Sequence, residues 1–168
     1  SAHLRTFSVT PEYLEHGERG LAGGNLWFTD YGLQLSRHFR ALKVWMTIKE
    51  HGLARLGRMM ARNVEQAHYL AERIQAEPAL ELMAPVGLDI VCYRYNPGGL
   101  DEKALDRLNR ELLIRLQEEA IAAPSSTVLH GRFCIRVAIA NYRSTLADFD
   151  ALVAGSLEIG QGLIGDGR

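Results

Sequence analysis

The stretch from Ser36 to Gly52, SRHFRALKVWMTIKEHG, constrains the fold of this chain more than any other. Phe39, Leu42 and Trp45 recur at three-residue spacing, and basic residues fall mostly between them. Apolar residues at such spacing predict an amphipathic α-helix that buries one face. Ser36 stands where a side-chain hydroxyl can cap the first turn, and Gly52 suits the left-handed conformation beyond the last turn. The segment is therefore predicted to be a helix packed against a core.

The rest of the chain combines helical and strand-like patterns. A second helix is predicted from about Leu53 to Ala76, because apolar residues again recur at helical spacing and Pro78 follows. The predicted element order from Ser36 onward is ααββαββα, which indicates an α+β fold with a small, mainly antiparallel sheet covered by helices on one face. The later elements are strands at 80–84 and 88–95, a helix from about Asp101, a hairpin about Gly131, and a last helix from near Thr145 that fades after Gly155.

The first 24 residues carry weaker signals. Residues 3–9 alternate weakly in polarity and are predicted to form a short strand or an extended segment. Residues 15–24 are rich in glycine, which makes an ordered loop entropically costly. This segment is therefore predicted to be a mobile loop that opens and closes.

Composition excludes several classes of partner. The 168 residues include 19 basic and 20 acidic side chains, so the charge balance favours neither nucleic acid nor a membrane surface. No run of about 18 apolar residues is long enough to span a bilayer. Cys92 and Cys134 lie in apolar, strand-like runs and are interpreted as buried free thiols, which predicts a reducing, cytoplasmic location. The six histidines lack the spacing of metal ligands, so no metal is predicted.

The strand at 132–140 places one arginine in an unusual setting. Phe133, Ile135 and Val137 alternate onto one face, so Arg136 lies on the other face between two small residues. A guanidinium in a partly dry space requires an anion, and its geometry matches a carboxylate. Arg136 is therefore either a ligand-binding residue or a member of a structural ion pair.

Several segments resemble one enzyme family in the same order along the chain. SRHFRALKVW resembles the segment [SG]-R-x-F-R-[AS]-[LIV]-K-x-W of group II pyridoxal-phosphate decarboxylases, which act on aromatic amino acids, histidine and tyrosine. FSVTPEYL, GLDIVCYRYN and FCIRVAIANYRST agree with the same family. The resemblance implies the C-terminal part of a fold-type-I pyridoxal-phosphate enzyme. Residues 1–52 would end the large domain, with its mobile loop and interdomain helix, and residues 53–168 would form the small domain.

The resemblance also implies roles for three residues. Tyr13 lies in the P-x-Y-L segment of the closing loop, whose tyrosine returns a proton to the substrate α-carbon; by itself the sequence equally allows a tyrosine packed under a loop. Ser36 occupies a position that lines the substrate pocket, although an ordinary N-cap explains it equally well. Arg136 occupies the position that holds the substrate α-carboxylate.

The activity implied is that of a carboxy-lyase in amino-acid metabolism, which converts an L-amino acid to its amine and carbon dioxide. Ser36, Trp27 and Phe28 favour an aromatic or imidazole amino acid as the substrate. In the family, the Schiff-base lysine stands in an H-K motif upstream of this segment, and none of Lys43, Lys49 and Lys103 has that context. The chain alone is thus expected to be inactive, to need the remainder of the enzyme to bind pyridoxal 5'-phosphate, and to work in a homodimer.

Two alternatives stay open from the sequence. The first alternative is that the chain belongs to a pyridoxal enzyme of the same fold with another reaction, such as oxidative deamination or lyase chemistry. Small changes in the closing loop of such enzymes change which reaction follows from a common intermediate. The second alternative is that the chain is a non-catalytic α+β interaction module.

Overall fold

A computed structural model of the chain describes residues 2–7, 31 and 38–165. The chain divides into two compact units, Ser1–His51 and Gly52–Arg168. The assignment of residues 1–52 to a large domain and 53–168 to a small domain concerns the intact enzyme and stays a prediction. The glycine-rich loop predicted at 15–24 lies outside the described residues.

The first unit contains two described helices, α1 (Ala2–Phe7) and α2 (Arg40–His51). The prediction of a short strand or extended segment at residues 3–9 is wrong for its described part. Ala2–Phe7 is helical, and Thr6 Oγ1 donates to the carbonyl of Ala2 at 2.9 Å, a bond to the preceding helical turn. Helix α2 begins later than predicted, because residues 38 and 39 are not helical.

Burial of α2 also differs from expectation. No residue of α2 is buried; Phe39, just before it, is 72% exposed and Trp45 is 58% exposed. The periodicity of a helix identifies its apolar face, but it does not supply the surface that covers it. Gly52 follows α2 with a φ of 72°, the positive value expected where only glycine is free of strain.

The second unit confirms the predicted α+β fold. Its helices and strands follow the predicted order, and the sheet order is β1-β2-β4-β3 with every neighbouring pair antiparallel. The elements are α3 (Leu53–Gln75), β1 (Leu80–Leu82), β2 (Ile90–Tyr95), α4 (Glu102–Glu118), β3 (Ser125–Leu129), β4 (Arg132–Ala138) and α5 (Leu146–Gly165).

The hairpin formed by β3 and β4 has a two-residue turn at His130 and Gly131. Both residues have positive φ, 51° and 77°, which matches the right-handed twist of the flanking strands. Leu129 therefore pairs with Arg132, and counting outward along both strands pairs Ser125 with Arg136. The turn thus sets which side chains stand opposite one another along β3 and β4.

A hydrophobic core joins the helices to one face of the sheet. The predicted core face of α4 is confirmed, since Leu105, Leu112 and Leu116 are buried and Leu108 packs against the core. Only the C-terminal half of the α3 stripe is buried. The buried core also contains Leu70 and Ile74 from α3, Val91, Tyr93 and Tyr95 from β2, Ile135 from β4, and Phe149, Leu152 and Val153 from α5.

Helix α5 continues well beyond Gly155, where it was predicted to fade. Gly155 and Gly160 are buried rather than loop residues. A Cβ at Gly155 would lie 3.0 Å from Ile121, and one at Gly160 would lie 2.8 Å from the ring of Tyr95. The glycines therefore allow close packing of α5, and the sequence signal of a glycine-rich tail was misleading. Among the helices within the described residues, none combines the length and apolar character needed to cross a bilayer.

Candidate functional site

A cleft of about 390 Å³ lies beside Arg136 in the second unit. It is bounded by the loop that precedes β3, the C-terminal end of β4 and the first turns of α5. Ile121, Phe149 and Leu152 give it apolar walls, while Arg136 and Ser125 contribute polar groups. We refer to it as the Arg136 cleft.

Arg136 is partly exposed and projects from the face of β4 opposite to the core residue Ile135. Its Nη1 donates to Ser125 Oγ at 3.3 Å, and the same hydroxyl donates to the Arg136 carbonyl at 3.2 Å. In the described part of the chain, no carboxylate lies within ion-pair distance of Arg136. The guanidinium therefore keeps donors available for an anion, as the sequence prediction requires, and its role stays a prediction.

The loop between β4 and α5 forms one wall of the cleft and is held from two sides. The carbonyl of Ser144 accepts from Arg62 Nη2 at 2.9 Å and from Gln66 Nε2 at 2.8 Å, which ties the loop to α3. At the start of α5, the Thr145 N–H donates to Asp148 Oδ2 at 2.8 Å, as in a capping box. The Asp148 carboxylate is thereby engaged in capping the helix rather than in pairing with Arg136.

Two thiols lie on the sheet near the arginine. Cys92 stands directly opposite Arg136 across β2 and β4, and Cys134 is fully buried. Both cysteines are free, as predicted, although Cys92 is only partly buried. Burial raises the pKa of the Cys92 thiol, and burial also raises the pKa of the Cys134 thiol. Both thiols are therefore protonated at neutral pH and are poor nucleophiles.

The structure places one of the three predicted site residues. Arg136 lines the cleft, whereas Tyr13 and Ser36 lie outside the described residues. The roles of Tyr13 and Ser36 therefore stay predictions. Ser125 was missed, because the sequence predicted a hairpin about Gly131 alone, whereas the observed two-residue turn at His130 and Gly131 pairs Ser125 with Arg136.

The residues that are described do not form an attachment site for a pyridoxal group. Such a site needs a lysine amine within an enclosed pocket. Lys43, Lys49 and Lys103, the lysines of this chain, are all exposed on α2 and α4. No group of three potential metal ligands was found within residues 2–7, 31 and 38–165.

Comparison with known families gives the class of protein. A family model described as "Pyridoxal-dependent decarboxylase conserved domain" matches residues 2–96. The chain belongs to this family, which confirms the resemblance seen in the sequence and the association with a pyridoxal cofactor.

Individual relatives agree with the family. The chain is 30% identical to tyrosine decarboxylase 3 of Petroselinum crispum over 158 residues, which are 92% of this chain and 30% of that protein. It is 32% identical to an aromatic-L-amino-acid decarboxylase of Bacillus atrophaeus over 84% of this chain and 29% of that protein. The chain thus spans less than a third of the length of these relatives.

Solved structures confirm the predicted fold class. Oryza sativa TDC with PLP and tryptamine superimposes with a TM-score of 0.78 at 24% identity, over 95% of this chain and 33% of that chain. Rhodiola rosea 4-hydroxyphenylacetaldehyde synthase gives a TM-score of 0.72 at 27% identity, over 80% of this chain and 29% of that chain. The described helices and antiparallel sheet therefore correspond to part of these longer chains.

Proposed function

We propose that the chain is part of a pyridoxal-phosphate-dependent decarboxylase that converts an L-amino acid, of aromatic type, to its amine and carbon dioxide. The main support is Arg136, which lines a cleft and has no carboxylate partner among the described residues, in a chain of this family. The tyrosine and aromatic-amino-acid decarboxylases among its relatives support an aromatic substrate.

The residues of this chain have three proposed tasks. Arg136 binds the α-carboxylate through charge-assisted hydrogen bonds and so orients the substrate. Tyr13 delivers a proton to the α-carbon, and Ser36 lines the pocket for the substrate ring. Bound pyridoxal phosphate supplies the electron sink for the reaction. Because the lysines of this chain are exposed, we assign attachment of the cofactor to the remainder of the enzyme.

We further propose a cytoplasmic homodimer. The free thiols Cys92 and Cys134 support a reducing compartment. Family resemblance supports the dimer. Light scattering of the full-length enzyme tests the dimer directly, and a monomeric mass in the active state would overturn it.

A second candidate reaction has its own support. The chain is similar to Rhodiola rosea 4-hydroxyphenylacetaldehyde synthase and is 29% identical over 119 residues to phenylacetaldehyde synthase of Petunia hybrida. Enzymes with these names form aldehydes rather than amines. Identification of the product, amine or aldehyde, from each amino acid distinguishes the two reactions.

The decisive experiment uses the full-length enzyme reconstituted with pyridoxal phosphate and supplied with tyrosine, tryptophan, phenylalanine or histidine. Release of carbon dioxide together with the matching amine supports the proposal. Turnover of none of these amino acids, nor of other L-amino acids, would overturn it and favour a non-catalytic module.

Two variants of that enzyme test the assigned residues. Arg136→Met is expected to raise KM at least tenfold, since removal of a carboxylate contact costs about 1.4 kcal/mol or more, whereas Arg136→Lys should lose less. Tyr13→Phe is expected to retain the cofactor and to slow amine formation by roughly a hundredfold or more. Normal turnover of either variant would remove that residue from its assigned role.

A further inference from the structure

We propose that Ser125 is a positioning residue for Arg136: its hydroxyl holds the guanidinium so that the Nε and Nη2 donors remain directed to a substrate carboxylate. This inference rests on the proposed function, because it assigns Arg136 to carboxylate binding. Ser125 itself is not assigned any contact with substrate.

The contact is built into the hairpin. Ser125 is the first residue of β3 and stands opposite Arg136 in the register that the turn at His130 and Gly131 imposes. Directly paired residues on neighbouring strands have their Cβ atoms about 5 Å apart, so a short serine and a long arginine meet on the same face. Backbone pairing therefore keeps the two side chains adjacent.

The single hydroxyl proton accounts for the direction of both hydrogen bonds. Ser125 Oγ lies 3.2 Å from the Arg136 carbonyl oxygen and 3.3 Å from Arg136 Nη1. A carbonyl only accepts and a guanidinium only donates, so the proton points to the carbonyl and the oxygen lone pair faces Nη1. The bond that the Ser125 hydroxyl donates to the Arg136 carbonyl therefore orients the oxygen lone pair that accepts from Arg136 Nη1. The two hydrogen bonds reinforce each other.

The bond to Nη1 leaves the correct edge of the guanidinium for a carboxylate. Arginine has five N–H donors, and the parallel pair on Nε and Nη2 forms the side-on fork that binds a carboxylate through both oxygens. Neither Nε nor Nη2 of Arg136 has a partner among the described residues. Ser125 therefore uses a donor outside this fork and competes little with the ligand.

The described part of the chain gives the guanidinium no other hydrogen bond and no ion pair. Arg136 has no ion-pair partner there, and the residue opposite it in β2 is Cys92, a weak hydrogen-bonding group. A freely rotating arginine would lose side-chain entropy each time it bound a carboxylate. Because the serine contact already restricts the arginine side chain, less side-chain entropy is lost when the substrate binds.

The test compares carboxylate recognition with recognition of the rest of the substrate. In the full-length enzyme, Ser125→Ala is expected to raise KM for the amino acid about three- to tenfold while kcat changes less than twofold. Inhibition by the amine product, which lacks the carboxylate, should stay within about twofold of the wild type. A purely structural defect would weaken binding of amino acid and amine together.

Two controls keep the test specific. Ser126→Ala removes a hydroxyl from the next residue of the same strand, which is exposed and pairs with Ile135, and should leave KM unchanged. Ser125→Thr and Ser125→Val have nearly the same shape and differ in the hydroxyl, so Thr should restore KM and Val should not.

The outcomes separate this inference from the function on which it rests. If the wild-type enzyme is active and the Ser125→Ala, Ser125→Thr and Ser125→Val variants all have the same KM, the proposed role of Ser125 is wrong. The decarboxylase proposal is then unaffected. Equal weakening of amino acid and amine would also overturn it. A wild-type enzyme that turns over no amino acid would overturn both.

Discussion

Asn109 of α4 binds both backbone groups of Tyr95 in β2. Its Oδ1 accepts the Tyr95 N–H at 2.7 Å, and its Nδ2 donates to the Tyr95 carbonyl at 2.9 Å. The pairing of β2 with β4 ends two residues earlier, at Tyr93 and Ile135. A helix side chain therefore supplies the hydrogen bonds that a neighbouring strand would otherwise make.

Replacing Asn109 should be costly, because the residue is fully buried. Asn109→Ala leaves the N–H of Tyr95 unsatisfied, and we expect a loss of about 2–4 kcal/mol in the free energy of unfolding. Lys103→Ala, on the exposed surface of the same helix, is the control and should change stability by less than about 0.5 kcal/mol. Equal urea midpoints for the two variants would show that the Tyr95 bonds contribute little.

Gly160 and Gly162 form a matched pair in α5. Alanine at 160 would place a Cβ 2.8 Å from the buried ring of Tyr95, whereas alanine at 162 would meet no atom within 4 Å. We expect Gly160→Ala to destabilise the chain by about 1–3 kcal/mol through overpacking. Gly162→Ala should instead stabilise it by up to about 1 kcal/mol, because alanine favours helix. Thermal unfolding measures both, and a stabilised Gly160→Ala would contradict the close packing.

Arg94 should make stability depend on pH. Its side chain is buried and binds Glu81 at 2.7 Å and Glu102 at 2.6 Å. The hydrogen bond from Arg94 Nε holds the pKa of the Glu81 carboxyl below its ordinary range, and a separate hydrogen bond from Arg94 Nη1 lowers the pKa of the Glu102 carboxyl. Because the folded pKa values are lower than the unfolded ones, the unfolded chain binds protons first as the pH falls.

The resulting stabilisation is present above the unfolded pKa, near pH 4 to 5, and is lost as the pH falls through the folded values. Arg94→Met should lower the urea midpoint at pH 7 and flatten its decline between about pH 5 and pH 3. Arg115→Met, which breaks an exposed pair with Glu119, should leave the decline unchanged. A decline as steep in Arg94→Met as in the wild type would refute this account.

Asp101 caps α4, since its Oδ1 accepts the N–H of Ala104 at 2.7 Å. Loss of an N-cap typically costs about 1 kcal/mol, so Asp101→Ala should lower stability by that amount. Asp101→Asn keeps an acceptor oxygen and should retain most of it. Urea denaturation of the three proteins provides the measurement, and an Asn variant as weak as the Ala variant would indicate a role for the charge instead.

Sequence patterns predicted much of the second unit because its signals are local. The leucines of α4 and the turn at Gly131 lie in patterns only a few residues long, and the structure confirms both. The face occupied by Arg136 follows from strand alternation. The start of α2 was misjudged, since the helix begins at Arg40 and the capping role of Ser36 lies outside the described residues.

The sequence by itself determined the order of helices and strands, the apolar face of α4 and the position of the hairpin turn near Gly131. These depend on periodicity and turn geometry, which act between near neighbours. Only the tertiary structure decided that Gly160 is a close-packing position inside α5 rather than part of a loop, because the Tyr95 ring that it contacts is distant in the sequence. It likewise selected Asn109 to complete β2, since an unpaired buried backbone group must find its partner wherever packing provides one.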